Sequence, residues 1–236
     1  RGKTLPSNLS DCDDTEVIVD ALRNNPYEIN IKAAGTAMRF MTAYLSVKDG
    51  EEHVLTGTER MKHRPIGVLV EALRQLGADI SHVGDEGYPP LRIKGGTLDG
   101  GLLEVPGNIS SQYISALLLI GPNLRNGLEL RLTGDIISRP YIDLTLCAMR
   151  EFGADAEWTD FETISVKPQR YQERPYLIEN DWSAASYWYE AVALSADPEA
   201  EVRLTKRRVQ FVMRYVGMSA RGPVYSLNIV HSEPSE

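Results

Sequence analysis

The chain predicts an α/β fold assembled from tandem strand-helix-strand-helix-strand-strand repeats, one domain near complete and a second begun. Three observations predict it. Leu55-Thr56-Gly57, Arg64-Pro65-Ile66 and Leu76-Gly77-Ala78-Asp79 are echoed downstream by Leu132-Thr133-Gly134, Arg139-Pro140-Tyr141-Ile142 and Phe152-Gly153-Ala154-Asp155. Upstream, Glu28-Ile29-Asn30-Ile31 leads through Ala34-Gly35 into a helix as Glu104-Val105-Pro106-Gly107 leads through Asn108 into Ser110-Ser111-Gln112. Alternating segments of strand and helix period run through both copies.

In order along the chain, Asp14-Thr15-Glu16 caps a helix with Val17, Ile18, Ala21 and Leu22 on one face, stopped at Asn24-Asn25-Pro26. Residues 27–32 alternate as a strand. Thr36 opens a helix through Met38, Met41 and Leu45, and 53–56 form a strand. Pro65 suits the first turn of the next helix, whose stripe is Val68, Leu69, Ala72, Leu73 and Leu76, with Gly77 ending it. Strands at 79–82 and 91–94 close the copy. The second copy predicts a strand at Leu103, a helix over 113–119, a strand over 128–132, a helix over 142–152, and strands over 155–158 and 163–167. Residues 169–175 read as a linker. A strand at 176–178 and a helix from Asn180-Asp181-Trp182-Ser183 start a further unit.

The domains expected are therefore 1–175, the beginning of a second at 176–204, and 205–236, which repeats nothing earlier and reads as a frame-shifted or disordered tail. The opening residues lack an initiating Met, so the chain is expected to be a piece of something longer.

Composition narrows the function classes. With 236 residues, a net charge of −8 and 42% hydrophobic residues, the chain suits a soluble globular protein and not a general nucleic-acid binder. No apolar run is long enough to span a bilayer, and no signal peptide is visible. Two cysteines, Cys12 and Cys147, without histidine at ligand spacing, make neither a disulfide scaffold nor a zinc site. Cytoplasmic placement is expected, with Cys147 a buried, inert thiol.

Matching loops of a duplicated module converge on one face, so their polar residues are the candidate site. Gly35 at a helix start leaves backbone N–H groups open to an anion. Arg60-Met61-Lys62-His63-Arg64 sets three cations and a histidine before a helix, where they oppose the dipole; a solvated loop and an anion pocket both fit. Arginine suits a bidentate grip on carboxylate or phosphate. Ser110-Ser111-Gln112 and Ser138-Arg139-Pro140-Tyr141 add hydroxyls, an amide and a guanidinium, fit for a polyhydroxylated or phosphorylated ligand, although Ser at an N-cap and Tyr141 in a core have structural readings too.

These segments, with Ala34-Gly35-Thr36-Ala37-Met38-Arg39 and Glu179-Asn180-Asp181-Trp182-Ser183-Ala184-Ala185-Ser186-Tyr187, resemble successive signatures of the EPSP synthase (3-phosphoshikimate 1-carboxyvinyltransferase) family, over residues 1 to about 204. The resemblance implies the enolpyruvyl transferase fold and transfer of the enolpyruvyl group of phosphoenolpyruvate to the 5-hydroxyl of shikimate 3-phosphate. It implies a tetrahedral intermediate, no metal or organic cofactor, these two small-molecule substrates as partners, and a monomeric full-length protein. Carried over by position, Gly35, Arg64 and Gln112 contact phosphoenolpyruvate. Ser110, Ser111, Gln112, Ser138 and Tyr141 hold shikimate 3-phosphate, and Arg139 supports its phosphate.

The catalytic base stays unassigned. The family's aspartate, glutamate and later basic positions belong to repeats beyond this chain, and Asp181 matches an acidic residue near the family's cleft. The family's first lysine-serine motif precedes Arg1, and Ala33 stands where many relatives carry Asn. Weak or absent turnover is therefore expected. The rival readings are a UDP-N-acetylglucosamine enolpyruvyl transferase relative, which wants a reactive loop cysteine that neither Cys12 nor Cys147 suits, and a non-catalytic ligand-binding module.

Overall fold

A computed structural model describes residues 6–178, 182–195, 197, 199–206, 209–219 and 222–231. They fall into two compact units: residues 9–174, and residues 6–8 with those from 175 onward.

The first unit contains both copies of the repeat. Its leading helix α1 (Asp13–Asn24) buries Val17 and Ala21, and ends where Asn25 turns left-handed at φ 45° and donates its N–H to the Ala21 carbonyl. Strand β1 (Glu28–Asn30) crosses through α2 (Gly35–Ser46) into β2 (Glu52–Thr56), which lies parallel to it. Parallel neighbours require such a crossover. A short helix, α3 (Glu59–Lys62), and then α4 (Gly67–Gln75) lead into the hairpin of β3 (Asp79–His82) and β4 (Leu91–Lys94), whose β4 pairs antiparallel with β2.

The second copy follows the same path through β5 (Gly101–Pro106), α5 (Ser111–Ile120), β6 (Leu128–Thr133), α6 (Arg139–Glu151), β7 (Ala156–Trp158) and β8 (Thr163–Val166). The strand orders correspond, β1-β2-β4-β3 and β5-β6-β8-β7. So do the hydrogen bonds at the strand ends: Ile31 N–H donates to the Thr56 carbonyl at 2.9 Å, and Gly107 N–H to the Thr133 carbonyl at 2.8 Å.

Burial explains why α2 and α5 differ from surface helices. Both are buried nearly all round and pack on each other, and the two sheets turn apolar faces inward. Ile29, Leu55, Leu91, Ile93, Leu103, Leu130 and Ile164 fill those faces. Thr42 and Ser46 are buried within α2, and each hydroxyl donates to the carbonyl four residues back, at 2.7 and 2.8 Å.

Gly95, just after β4, sits where the backbone after α2 comes closest. An added methyl there would lie 2.1 Å from the Lys48 carbonyl oxygen and 2.7 Å from that of Leu45. Gly95→Ala is expected to destabilise the first unit by about 1–3 kcal/mol, because the obstacle is backbone and cannot swing aside. Scanning calorimetry checks it, as a lowered midpoint in the transition carrying this unit.

Local details differ from the sequence expectations. The strand expected over 27–32 is confined to Glu28–Asn30, because the Asn30 side chain accepts the Lys32 N–H at 2.9 Å and Lys32 turns to φ 52°. The strand expected at 176–178 is a single bridge between Ser7 and Leu177. Cys147 is exposed, which corrects the expectation of a buried thiol. The buried stripe of α6 is Ile142, Leu146 and Met149, and Cys147 follows Leu146 by one residue, about 100° around the helix from it.

In the second unit, α7 (Trp182–Leu194) lies against β9 (Glu201–Lys206) and β10 (Val209–Ser219). These strands form an antiparallel sheet with β11 (Gly222–His231), in the order β11-β10-β9. Residues after 204 are thus extended over their described length. Among the described residues no helix is long and apolar enough to cross a membrane.

Candidate functional site

The site grows from two turns of the first copy. After β1 the chain runs through the left-handed Lys32 into Ala34, the N-cap of α2, whose side chain caps nothing. With no acidic residue in the first turn, the N–H groups at this helix start carry an uncompensated positive end. After β2, Gly57 passes so close to the Lys32 carbonyl that a methyl on it would lie 2.6 Å from that oxygen. Thr58 N–H donates to the same carbonyl at 2.9 Å, which joins the two turns.

The helix α3 then sorts the basic run by face. Met61 is buried and anchors it. Arg60, Met61 and Arg64, with Ala33, line a cavity of about 400 Å³. Lys62 and His63 line a different one of about 530 Å³ with Glu59, Tyr88 and Pro90. Lys62 pairs with the Glu59 carboxylate at 2.7 Å, a hydrogen bond and charge that hold this carboxyl below the usual range. His63 Nδ1 lies 2.7 Å from the Glu59 carbonyl. Helical spacing therefore divides a run that is continuous in sequence, and of its basic residues the two arginines line the first mouth.

Arg64 returns to the start of α2. A methyl on Gly35 would lie 2.3 Å from Arg64 Nη1 and 2.6 Å from Arg39 Nη1, so both guanidinium groups close on Gly35. Among the described residues no carboxylate lies within 4 Å of Arg39, Arg60 or Arg64, in a chain with net charge −8. This concentration of unpaired positive charge at a helix start is suited to an anion.

The second copy supplies hydroxyls and an amide. Ser110 is the N-cap of α5, and its hydroxyl accepts the Gln112 N–H at 3.4 Å. The Gln112 amide donates to the Thr36 hydroxyl at 3.2 Å, across 76 residues of chain. That bond brings the helix starts of the two copies together. Beside it, Tyr113 is buried and donates its OH to the Pro65 carbonyl at 2.8 Å.

Ser138 is the N-cap of α6 and makes no side-chain cap, while Tyr141 is exposed rather than in the core. Helix α6 is tied to α5 by hydroxyls of Ser115 and Thr145 2.7 Å apart, and Thr145 donates to the Tyr141 carbonyl at 2.9 Å. The Arg139 guanidinium stacks 4.0 Å over Trp158 and donates to the Phe161 carbonyl at 3.0 Å. It is held by the β7–β8 hairpin, and so acts on the α6 start from the flank. The sequence candidate Asp181 lies outside the described residues.

The structure thus brings Gly35, Arg64 and Gln112 together, the last through Thr36. Ser110 and Ser111 stand at the adjoining start of α5, and Ser138, Arg139 and Tyr141 at the start of its neighbour α6. Sequence reading assigned no role to Thr36, Arg39 or Tyr113. One signal was available for Arg39, a charge four residues after Gly35 on an otherwise uncharged helix.

Comparison with known proteins bears on the family. The sequence model described as EPSP synthase (3-phosphoshikimate 1-carboxyvinyltransferase) matches residues 5–211. The chain is similar to a 3-phosphoshikimate 1-carboxyvinyltransferase of Bacteroides fragilis, 60% identical over 205 residues, covering 87% of this chain and 49% of that protein. One from Erwinia tasmaniensis is 41% identical over 221 residues, covering 82% and 51%. Among solved structures, an EPSP synthase from Acinetobacter baumannii superposes with a TM-score of 0.63 at 27% identity, over 75% of this chain and 38% of that one. The chain spans about half the length of the curated relatives it matches.

Proposed function

The chain belongs to the EPSP synthase family, and from that premise we propose that it carries the substrate-holding half of a cytoplasmic enzyme that joins phosphoenolpyruvate to shikimate 3-phosphate. In that reaction the 5-hydroxyl of shikimate 3-phosphate gives up its proton and its oxygen bonds to C2 of phosphoenolpyruvate, while the C2–C3 double bond takes a proton at C3. The tetrahedral adduct then loses the C3 proton and phosphate, which restores the double bond in the enolpyruvyl ether. Gly35 and Arg64 bind phosphoenolpyruvate, the first through N–H groups at the α2 start and the second through its fork of donors. Ser110, Ser111, Ser138 and Tyr141 hold shikimate 3-phosphate with hydroxyls. Gln112 touches both ligands. Arg139, braced on Trp158, supports the phosphate by fixing the first turn of α6.

The observation that carries this reading is the Gln112 to Thr36 hydrogen bond. It sets a cation-rich helix start beside a hydroxyl-rich one, the arrangement two phosphorylated ligands need to meet. Proton transfer requires a base positioned at the reacting atoms. Such groups work where several are held in place around the ligand at once, and the relatives are about twice this chain's length, so the chain is proposed to bind ligand with little or no turnover.

Isothermal calorimetry with shikimate 3-phosphate tests the proposal. Ser111→Ala is expected to weaken binding about tenfold, the loss of a hydrogen bond to a charged group. Arg64→Ala should leave that affinity nearly unchanged and abolish the further heat on adding phosphoenolpyruvate. Binding that is absent, or indifferent to Ser111, would refute the assignment.

A further inference from the structure

Arg39 is a buried cation that meets no counter-ion among the described residues. It is 7% exposed, and among the described residues no carboxylate reaches within 4 Å of it. Among the same residues its buried Nε has no hydrogen-bond partner. Buried charges are ordinarily paired, and removing a charge from water without a partner is unfavourable. Arg64 makes matters worse, since a second guanidinium nitrogen closes on the same methyl-sized space above Gly35. Like charges so disposed repel until an anion lies between or beside them.

The remaining contacts of Arg39 tie parts of that mouth together. Its Nη1 donates to the Gly35 carbonyl at 2.7 Å. Its guanidinium carbon lies 5.6 Å from the centre of the Tyr113 ring, within cation–π range. Tyr113 in turn grips the Pro65 carbonyl, next to Arg64. One side chain therefore connects the first turn of α2, the first turn of α5 and the turn bearing Arg64. Those are the three places from which the proposed phosphoenolpyruvate contacts come.

We propose that Arg39 is a positioning residue for the anion held between Gly35 and Arg64. Bound through Nη1 to the Gly35 carbonyl, it does not grip the ligand. It keeps the α2 turn in register with Arg64 and leaves its positive charge unneutralised until the anion arrives. This rests on reading the Gly35–Arg64 mouth as the phosphoenolpyruvate site, so the test separates the two.

The full chain, saturated with shikimate 3-phosphate, is titrated with phosphoenolpyruvate as wild type, Arg39→Gln and Arg39→Lys. Arg39→Gln is expected to weaken phosphoenolpyruvate about tenfold or more, and Arg39→Lys to recover most of the loss because it restores the charge. A residue that served only packing would give equal losses for both variants, and that result overturns the proposal, as does unchanged affinity in Arg39→Gln. If wild type itself binds no phosphoenolpyruvate, the functional reading fails. Hydrogen exchange at the Gly35 and Thr36 amides then decides for Arg39: faster exchange in Arg39→Gln than in Arg39→Lys supports its positioning role, and equal rates overturn it.

Discussion

Gly35→Val removes phosphoenolpyruvate binding, an expected loss of about 100-fold or more, while the fold survives. The atoms that an added Cβ would meet are guanidinium ends, Arg64 Nη1 at 2.3 Å and Arg39 Nη1 at 2.6 Å. Flexible tips move aside at small cost, so stability changes little. The site does not share that tolerance, because a displacement of about 1 Å at a positioned group costs on the order of 100-fold in function. The branched side chain also covers the N–H groups at the α2 start. Calorimetry in the presence of shikimate 3-phosphate measures the loss, and far-ultraviolet circular dichroism checks that the helices remain. Tight phosphoenolpyruvate binding by the variant would remove Gly35 from the site.

The second large effect falls on stability. Leu117 is fully buried on α5, the helix that packs against both α2 and α6. Leu117→Ala deletes fully buried apolar atoms from that helix and leaves a cavity that rigid neighbours cannot fill. The expected cost is about 3–4 kcal/mol, a large share of what holds a domain of this size together. Urea-dependent hydrogen exchange of the α5 amides measures it. The variant is also expected to hold shikimate 3-phosphate less tightly, since Ser110, Ser111 and Gln112 begin that same helix. A cost below about 1 kcal/mol would mean that α5 is not the centre of the unit.

Most of the secondary structure was legible because it follows from local spacing. Leu69, Ala72 and Leu73 recur at helical intervals, and Ile29, Leu91 and Ile93 alternate as buried strand residues. Gly77 and Gly153, both at positive φ, end their helices where no other residue sits as easily. The exceptions are local competitions. Residues 59–62 form a helix that the polar composition of the loop concealed, and the Asn30 side chain ended a strand its neighbours would have continued.

The candidate site was legible as a set of loops and not as contacts. Duplication implied that the loops before α2, α4, α5 and α6 share a face, because copies of one module repeat their geometry. Nothing in the run from Arg60 to Arg64 indicated that Lys62 and His63 serve a separate cavity; the short helix α3 decided that. Arg139 looked like a ligand group, yet Trp158 and Phe161, far along the chain, hold its guanidinium.

By itself, then, the sequence determined the repeat, the order of its strands and helices, and the chemistry available in its turns, since these depend on neighbours within a few residues. Only the tertiary structure decided which turns meet. The Gln112 amide reaches Thr36, Tyr113 reaches Pro65, and Arg39 is buried with no counter-charge among the described residues. Those outcomes depend on how α2 seats against α5, a packing of two apolar helices whose register is set by the shapes of both at once.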